Sequence, residues 1–392
     1  MKVLAIGGSG GMGRAAVRAA LSFDFIEEII IAGIDADLGE RFAASLNDPR
    51  ARSIFLDVTD QEQLRYAIAA VDVVLNSAGP FFRFGVPILS AAIAEGKHYC
   101  DICDDWQPTV AMLELHEQAK QNNVIAVIGL GASPGIINLL CVKAAQQLDR
   151  VDRIISAWKL SGAVNADDGF QTAPVAGSVD AAAVHLMHCL SEKIRIIREG
   201  KSIETDALEH STIDFPEFGL MDVWSLGHPE AITLPRHFTQ LQSCYNGMLG
   251  IADWVDSLRQ AAQAIAAGQI SVDDAARKIL QQVQQDAPTT QASPVAVKTP
   301  GSFAFAAGLK DNKPTRVGAY LKHLPAGGMA TLTGIPQALF LPLLQQGHFQ
   351  HAGVFSPEQV IDPDAFFALF DGFCGSEGAG VTVLTAQDSA AL

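Results

Sequence analysis

The chain has 392 residues, 49% apolar and only 18% charged, and its 27 Lys and Arg face 43 Asp and Glu for a formal net charge of −16. That is too apolar for a disordered chain, and at about 150 residues per domain it implies two or three domains with substantial cores. The acidity argues against a nucleic-acid partner, which needs clustered Lys and Arg, but not against an anionic cofactor, because backbone N–H groups and helix dipoles bind phosphate without basic side chains.

In chain order, the first 130 residues alternate strand and helix signals. Strands are predicted at Lys2–Ile6, Glu28–Ala32, Arg52–Leu56, Val71–Leu75, Lys97–Ile102 and Val124–Ile128. Helical stretches lie between them at Met12–Leu21, Ala36–Ser45, Gln61–Ala70, Val86–Glu95 and Pro108–Gln121. Strands alternating with crossover helices predict a doubly wound parallel sheet, an α/β fold. Beyond Val151 the pattern changes. Strands are predicted at Val151–Leu160, Lys193–Arg198, Met221–Leu226, Ser302–Leu309 and Thr315–Leu321, with turns at Arg198–Lys201 and Lys310–Pro314. An Ala- and Gln-rich helical insert, Trp254–Gln285, leads into a Thr/Gln/Ser/Pro linker after Asp286. This predicts a second, α+β substrate domain, and the apolar helix candidate Pro336–Leu344 with its tail is expected to return to the first domain. The expected divisions are 1–132, 133–330 with the insert at about 236–290, and 331–392.

The run Val3–Ile6 is too short for a secretory signal. Val124–Val142 is 19 residues without a charge, but its glycines, Pro134 and Asn138 read as strand, turn and buried helix start rather than a membrane span. The six cysteines show no disulfide spacing, so a cytoplasmic protein is expected. Cys100-x-x-Cys103 lacks a second ligand pair at zinc spacing, and no metal is expected.

Gly8, Gly10 and Gly13 fit G-x-G-x-x-G between a strand and a helix, the context that gives this pattern meaning. Gly8 permits the turn, Gly10 lets the backbone approach a pyrophosphate, and Gly13 allows close helix–strand packing, with Ser9, Gly11 and Met12 completing the loop. The residue that meets the adenosine ribose is expected about 20 positions on, at Gly33 or Asp35. Asp35 favours NAD. A strand ending at Gly33 leaves room for the 2′-phosphate of NADP, yet no Arg or Lys follows at once, and Arg41 is a turn away. The cofactor is NAD(P), with the choice open. Asp57 and Val58 are expected near adenine, and Asn76, Ala78 and Gly79 near nicotinamide.

The segments GGSGGMGR at 7–14, NSAGPFFRFG at 76–85, GKHYCDICDD at 96–105 and GLGASPGIINLL at 129–140 resemble the saccharopine dehydrogenase family. The likeness is to its glutamate-forming reductase branch and bacterial relatives, including carboxynorspermidine dehydrogenase-like enzymes. GHPEAITLPR at 227–236 and GVFSPEQVIDPDAFF at 353–367 agree, so the resemblance spans most of the chain. It implies a Rossmann domain, a catalytic domain with a helical insert, and NAD(P)-linked chemistry at a C–N bond. It implies dinucleotide contacts at Ser9, Gly10, Gly11, Met12, Asp57, Asn76 and Ala78, and substrate contacts at Tyr99 and the turn Ser133-Pro134-Gly135. The saccharopine reductases carry an aspartate where this chain has Ser133. An uncharged hydroxyl cannot pair with a substrate ammonium as a carboxylate does, which leaves a carboxynorspermidine-type substrate or another amine–oxo-acid adduct open.

Reduction of an imine requires orientation of the partners and one proton. The candidates are Asp101, Asp104 and Asp105 at the end of the fifth strand, and His185, one helical turn from His188. His228-Pro229-Glu230 and Arg236 flank a strand end, where Arg236 can clamp a substrate carboxylate. His348 and His351 read as surface residues. No Gly-x-Ser-x-Gly elbow or HExxH is present, which argues against a hydrolase. The expected function is an NAD(P)-dependent oxidoreductase that makes or cleaves a secondary amine between an amino acid or polyamine and an oxo acid. The alternatives are a carbonyl or enoyl reductase on the same scaffold, or a dinucleotide-sensing protein without turnover. The expected partners are a small-molecule substrate and a second copy in a homodimer, with no nucleic acid or membrane.

Overall fold

The computed structural model describes residues 1–159, 181–249, 252–285 and 300–387. The linker expected after Asp286, and Leu160 at the end of a predicted strand, lie outside the described residues. Among the described residues the chain forms two units, one built from Met1–Leu139 with His323–Ala379, the other from the remainder.

The first unit opens as β1 (Lys2–Ile6), α1 (Gly11–Leu21), β2 (Glu28–Gly33), α2 (Ala36–Leu46), β3 (Ala51–Phe55) and α3 (Gln61–Ala69). It continues with β4 (Val73–Asn76), α4 (Phe81–Ala94), β5 (His98–Asp101), α5 (Trp106–Leu113), α6 (His116–Gln121) and β6 (Ile125–Val127). The predicted helix Pro108–Gln121 is two helices, broken at Glu114–Leu115. Helix α4 begins five residues before its predicted start, because Pro80 serves as its N-cap and Pro87 is accommodated inside it. The boundary between units falls within α7 (Ile136–Ala145).

The second unit runs β7 (Arg150–Lys159), α8 (Ala181–Ser191), β8 (Ile194–Arg198), β9 (Lys201–Thr205), β10 (His210–Phe215) and β11 (Gly219–Leu226). Then come α9 (Glu230–His237), β12 (Ser243–Leu249), α10 (Ala252–Ala266), α11 (Val272–Gln285), β13 (Ser302–Lys310) and β14 (Lys313–Leu321). The chain returns to the first unit as α12 (Gly328–Gln345), β15 (Gly353–Phe355), α13 (Pro357–Val360) and α14 (Pro363–Asp371), and ends in β16 (Val381–Gln387).

The first sheet is parallel, in the order β15-β6-β5-β4-β1-β2-β3. Its strands are short and apolar because both faces are covered. Leu4, Ile6, Ile30, Val74 and Leu89 are fully buried, each worth roughly 1.5–3 kcal/mol over exposure to water. Strand order reverses between β1 and β4, the switch point beyond whose carboxyl ends ligands bind in open α/β sheets. Helix α12 packs along α1, and only a glycine fits at their crossing. A Cβ on Gly334 would stand 2.3 Å from the Met12 carbonyl oxygen and 2.8 Å from the Ala15 Cβ.

The second sheet is mixed, with the path β10-β11-β12-β7-β13-β14-β16 and β8–β9 branching from β12. Among the described residues its one parallel pair is β7–β12, and the other pairings are antiparallel. The expected turn after Arg198 is a two-residue hairpin, Glu199 and Gly200 both having positive φ (51° and 73°). Asp311 and Asn312 turn β13 into β14 in the same way, at 50° and 58°. Asp149 fastens that turn by accepting from Lys310 Nζ at 3.0 Å and Asp311 N at 2.7 Å. Helices α8, α10 and α11 bury Met187, Leu190, Leu258 and Ala276 in a shared core. The insert expected over about 236–290 is narrower, since β12 is a central strand and only α10 and α11 follow it. The segment expected to return whole to the first domain is divided: β15 joins β6, while β16 pairs with β14. The period-2 run VTVLTAQ suits an edge strand, and antiparallel pairing supplies its ladder. No described helix is long and apolar enough to cross a membrane.

Candidate active site

In the first unit, β1 runs into the glycine loop and the loop into α1. Gly7 has φ +73°, and a Cβ there would stand 2.8 Å from Ala78 N. A Cβ on Gly13 would lie 2.2 Å from the Gly7 carbonyl oxygen, so loop and helix can close only around glycine. Gly10 and Gly11 are exposed at the end of α1, and a Cβ on Gly11 would enter open space. No side chain caps this helix, so its first-turn N–H groups face outward for an anion. Ser9 is buried, and the Arg14 guanidinium braces the loop from beneath, donating to Ser9 O at 2.8 Å. This geometry fits a pyrophosphate held by backbone.

Strand β2 ends at Gly33, whose Cβ position lies 3.6 Å from Ser9 Oγ, beside the loop. Asp35 is exposed and N-caps α2, accepting from Leu38 N at 2.9 Å. At the end of β3, Asp57 accepts from Thr59 N and Oγ1 at 2.9 and 2.7 Å, and these bonds hold its carboxyl below the usual range. Val58 is half-buried against the core.

The ends of β4, β5 and β6 are tied by a buried polar chain. Asn76 Oδ1 accepts from Ala78 N at 3.0 Å, and Asn76 Nδ2 donates to Tyr99 Oη at 3.0 Å. Tyr99 Oη donates to Asp101 Oδ2 at 2.9 Å, and Asp101 Oδ1 accepts from Gly129 N at 2.7 Å and Cys103 N at 3.0 Å. Asn76, Tyr99 and Asp101 are fully buried. Helix α12 closes the chain through Gln337, which donates to the carbonyls of Asn76 and Cys100 at 2.8 and 3.3 Å and accepts from Ser77 Oγ at 2.7 Å.

Burial pushes the Asp101 carboxyl from an ordinary 3.8 up to about 6, against the donations it receives. A carboxyl raised on folding contributes stability that is full below pH 3.8 and lost as pH rises to about 6, a difference of about 3 kcal/mol. Asp101→Asn is therefore expected to flatten this acid limb when denaturation is followed from pH 4 to 7. An unchanged slope in the variant would assign the loss to other groups.

The turn after β6 is shaped by glycine as well. Gly135 has φ +122°, and a Cβ there would lie 2.1 Å from Gly131 O. Its N–H is bonded to Asn138 Oδ1 at 2.9 Å, and Asn138 Nδ2 donates to Glu358 Oε2 at 2.9 Å. Ser133 is half-buried at the head of this turn.

In the second unit, β11 leads into α9 through His228 and Glu230, both buried, with His228 Nδ1 2.6 Å from Glu230 Oε2. The His185 and Trp158 rings pack edge-on to His228, at 5.4 and 6.2 Å between centroids. Cys189 Sγ lies 3.2 Å from His185 Nε2.

Residues 3–127 match the family model described as the saccharopine dehydrogenase NADP binding domain. The carboxyaminopropylagmatine dehydrogenase of Synechocystis is 22% identical over 94% of this chain and 95% of its own length. The NADP-dependent, L-glutamate-forming saccharopine dehydrogenase of Schizosaccharomyces pombe is 24% identical over 40% of this chain and 34% of its own. The L-glutamate-forming saccharopine dehydrogenase of Saccharomyces cerevisiae shares the fold, with a TM-score of 0.64 at 14% identity, over 99% of this chain and 100% of that one.

The first unit thus carries a dinucleotide-binding domain like that of the saccharopine dehydrogenases, and the whole chain resembles a dehydrogenase of that type. Residues 3–127 are its NAD(P)-binding part.

Several of the residues expected at the site make their contacts within the protein. Tyr99 and Asp101 spend their polar atoms on each other, on Asn76 and on backbone, so they hold the strand ends rather than face a ligand. The Asn76 side chain likewise holds the Ala78 turn, and the exposed faces there belong to Ala78 and Gly79. The N–H of Gly135 is used by Asn138, which removes it as a substrate donor. Arg236 is exposed in the last turn of α9, and Glu230 is buried in the first, about 9 Å away along the axis. Asp104 is half-buried where β5 gives way to α5, and the Asp105 carbonyl accepts from Thr109 Oγ1 at 2.8 Å. His185 and His188 diverge: the first turns to His228, the second to Glu192 at 3.0 Å. Both thiols of Cys100-x-x-Cys103 are fully buried, and burial pushes them well above the ordinary thiol range. Gln337 had no local signal in the sequence. The His228–Glu230 pair did have one, in the HPE spacing at a strand end.

Proposed function

We propose that this dehydrogenase forms or cleaves a secondary amine joining a polyamine or amino acid to an oxo acid, with a cationic, carboxylated adduct as its substrate class. The observation that carries this reading is the uncapped N-terminus of α1 behind the glycine loop, next to the Ala78–Gly79 turn at the switch point. The Synechocystis relative, similar along nearly its whole length, is a carboxyaminopropylagmatine dehydrogenase, and a net charge of −16 favours encounter with a cation.

A bound nicotinamide supplies or accepts the hydride. The chain's own groups bind, orient and handle one proton. The N–H groups of Gly11, Met12 and Gly13 at the head of α1 hold the pyrophosphate, Asp35 takes the ribose, and Asp57 and Val58 border the adenine. Tyr99 and Asp101 act through Asn76 as positioning residues. Asp104, at the end of β5, handles the proton on the substrate nitrogen, and Ser133 meets a polar end of the substrate.

The test pairs amines with oxo acids and follows NADH and NADPH oxidation. Turnover should require both members of a pair; oxidation with the carbonyl compound alone would overturn the proposal in favour of plain carbonyl reduction. Asp104→Asn should lower kcat by about 10²–10⁴-fold, the usual worth of a general acid or base, and leave cofactor affinity intact. A kcat within threefold of the parent, about 0.7 kcal/mol in barrier, would remove Asp104 from that role. A cytoplasmic setting is supported by six free cysteines and is checked by cell fractionation. A homodimer is checked by light scattering on the purified chain.

A further inference from the structure

We infer that this protein prefers NAD(H) to NADP(H), and that Ile34, Asp35 and Asp37 set the preference. The inference rests on the dinucleotide reading above and runs against the family model's description as an NADP-binding domain. NADP differs by a phosphate on the adenosine ribose, which carries nearly two negative charges and needs N–H donors or bases. The ribose position is fixed by the glycine loop and the end of β2, where the Gly33 Cβ position lies 3.6 Å from Ser9 Oγ.

Three features at this position disfavour a phosphate. The residue that leaves β2 is Ile34, apolar and 72% exposed, where a base would have to stand. The N-terminus of α2, the natural anion seat beside it, is filled by the chain's own anion: Asp35 Oδ1 takes the Leu38 N–H at 2.9 Å. Asp37 adds a second carboxylate in the same turn. A ribose 2′-hydroxyl suits this site, because it donates to the exposed Asp35 carboxylate.

The neighbouring strand end is acidic too. Asp57 and Asp60 follow β3, and Asp60 caps α3 through Glu62 N and Gln63 N at 3.0 and 3.1 Å. From Gly33 to Glu40 no Lys or Arg occurs, and Arg41 is exposed in the second turn of α2. Among the described residues, Arg83 is the cation whose charge acts on Asp57. It is therefore the residue by which a phosphate could still be held, and the experiment includes it.

The full chain is titrated with NADH and NADPH, read by nicotinamide fluorescence and by calorimetry without substrate. NADH should bind about 30-fold more tightly or better, the scale expected when a phosphate faces unpaired carboxylates. Ile34→Arg with Asp35→Ser supplies a base, removes a charge and keeps a helix cap; it should raise NADPH affinity about tenfold and change NADH affinity only a few-fold. NADPH binding as tight as NADH in the parent chain would overturn the preference, and loss of that binding in Arg83→Ala would name the residue responsible. An unchanged NADPH affinity in the double variant would overturn the assignment to these residues. Binding of neither nucleotide would overturn the dinucleotide reading itself and the preference with it.

Discussion

Gly13→Ala is expected to weaken dinucleotide binding by roughly 100-fold and to lower the stability of the first unit by about 1–3 kcal/mol. The added methyl would lie 2.2 Å from the Gly7 carbonyl oxygen and 2.8 Å from the Gly8 Cα, and both obstacles are backbone. Nothing there can rotate away, so α1 must shift and carry its N-terminal donors off the pyrophosphate position. Gly11→Ala is the matched control for folding, because its Cβ enters open space. Thermal denaturation with NADH titration of both variants checks the argument. Parent-like binding by Gly13→Ala would mean that the anion site lies elsewhere.

Gln337→Leu is expected to cost about 2–5 kcal/mol, since truncating a buried partner strands the groups it served. Those groups are the Asn76 and Cys100 carbonyls and the Ser77 hydroxyl. Leucine fills a similar volume, so the loss reads polar satisfaction rather than a cavity. Cofactor affinity should fall as well, by about tenfold, because Ser77 and Asn76 set the Ala78–Gly79 turn. Chemical denaturation and nicotinamide fluorescence measure both effects. A variant as stable as the parent would show that water or main-chain shifts replace the lost bonds.

These two positions mark the limit of what local pattern conveys. Gly13 is found from the sequence because its constraint is local: a glycine six residues after Gly7, between a β-branched strand and a helix, has a backbone reason to be there. Gln337 is found only in the folded chain. It lies 260 residues from Ser77, in an apolar helix whose pattern gives no hint that one polar side chain serves two strand ends. The histidines show an intermediate case. The HPE spacing is visible, but the edge-on packing of His185 against His228 requires α8 and the β11–α9 turn to meet.

Tyr99 and Asp101 show the reverse case, in which position in the chain suggests exposure and folding removes it. Residues at the carboxyl end of a parallel strand commonly face a ligand. Here the Gly129–Gly135 turn and α12 cover the end of β5, and the two side chains satisfy each other inside. Arg236 stands apart from the buried His228–Glu230 pair for a geometric reason. Glu230 to His237 forms a helix, and its axial rise carries the guanidinium away from that pair.

The sequence by itself determined the parallel first domain, its glycine loop, the largely antiparallel pairing of the second domain, and the absence of Lys and Arg from Gly33 to Glu40. Each depends on periodicity, glycine geometry or charge within a few tens of residues. The tertiary structure alone decided that β15 extends the first sheet and β16 the second, and that Gln337 and Asp101 join separate strand ends. It also decided which carboxylates are buried. Those outcomes depend on pairings between distant segments, where burial and hydrogen-bond satisfaction are settled by the packed chain and leave no periodic trace along it.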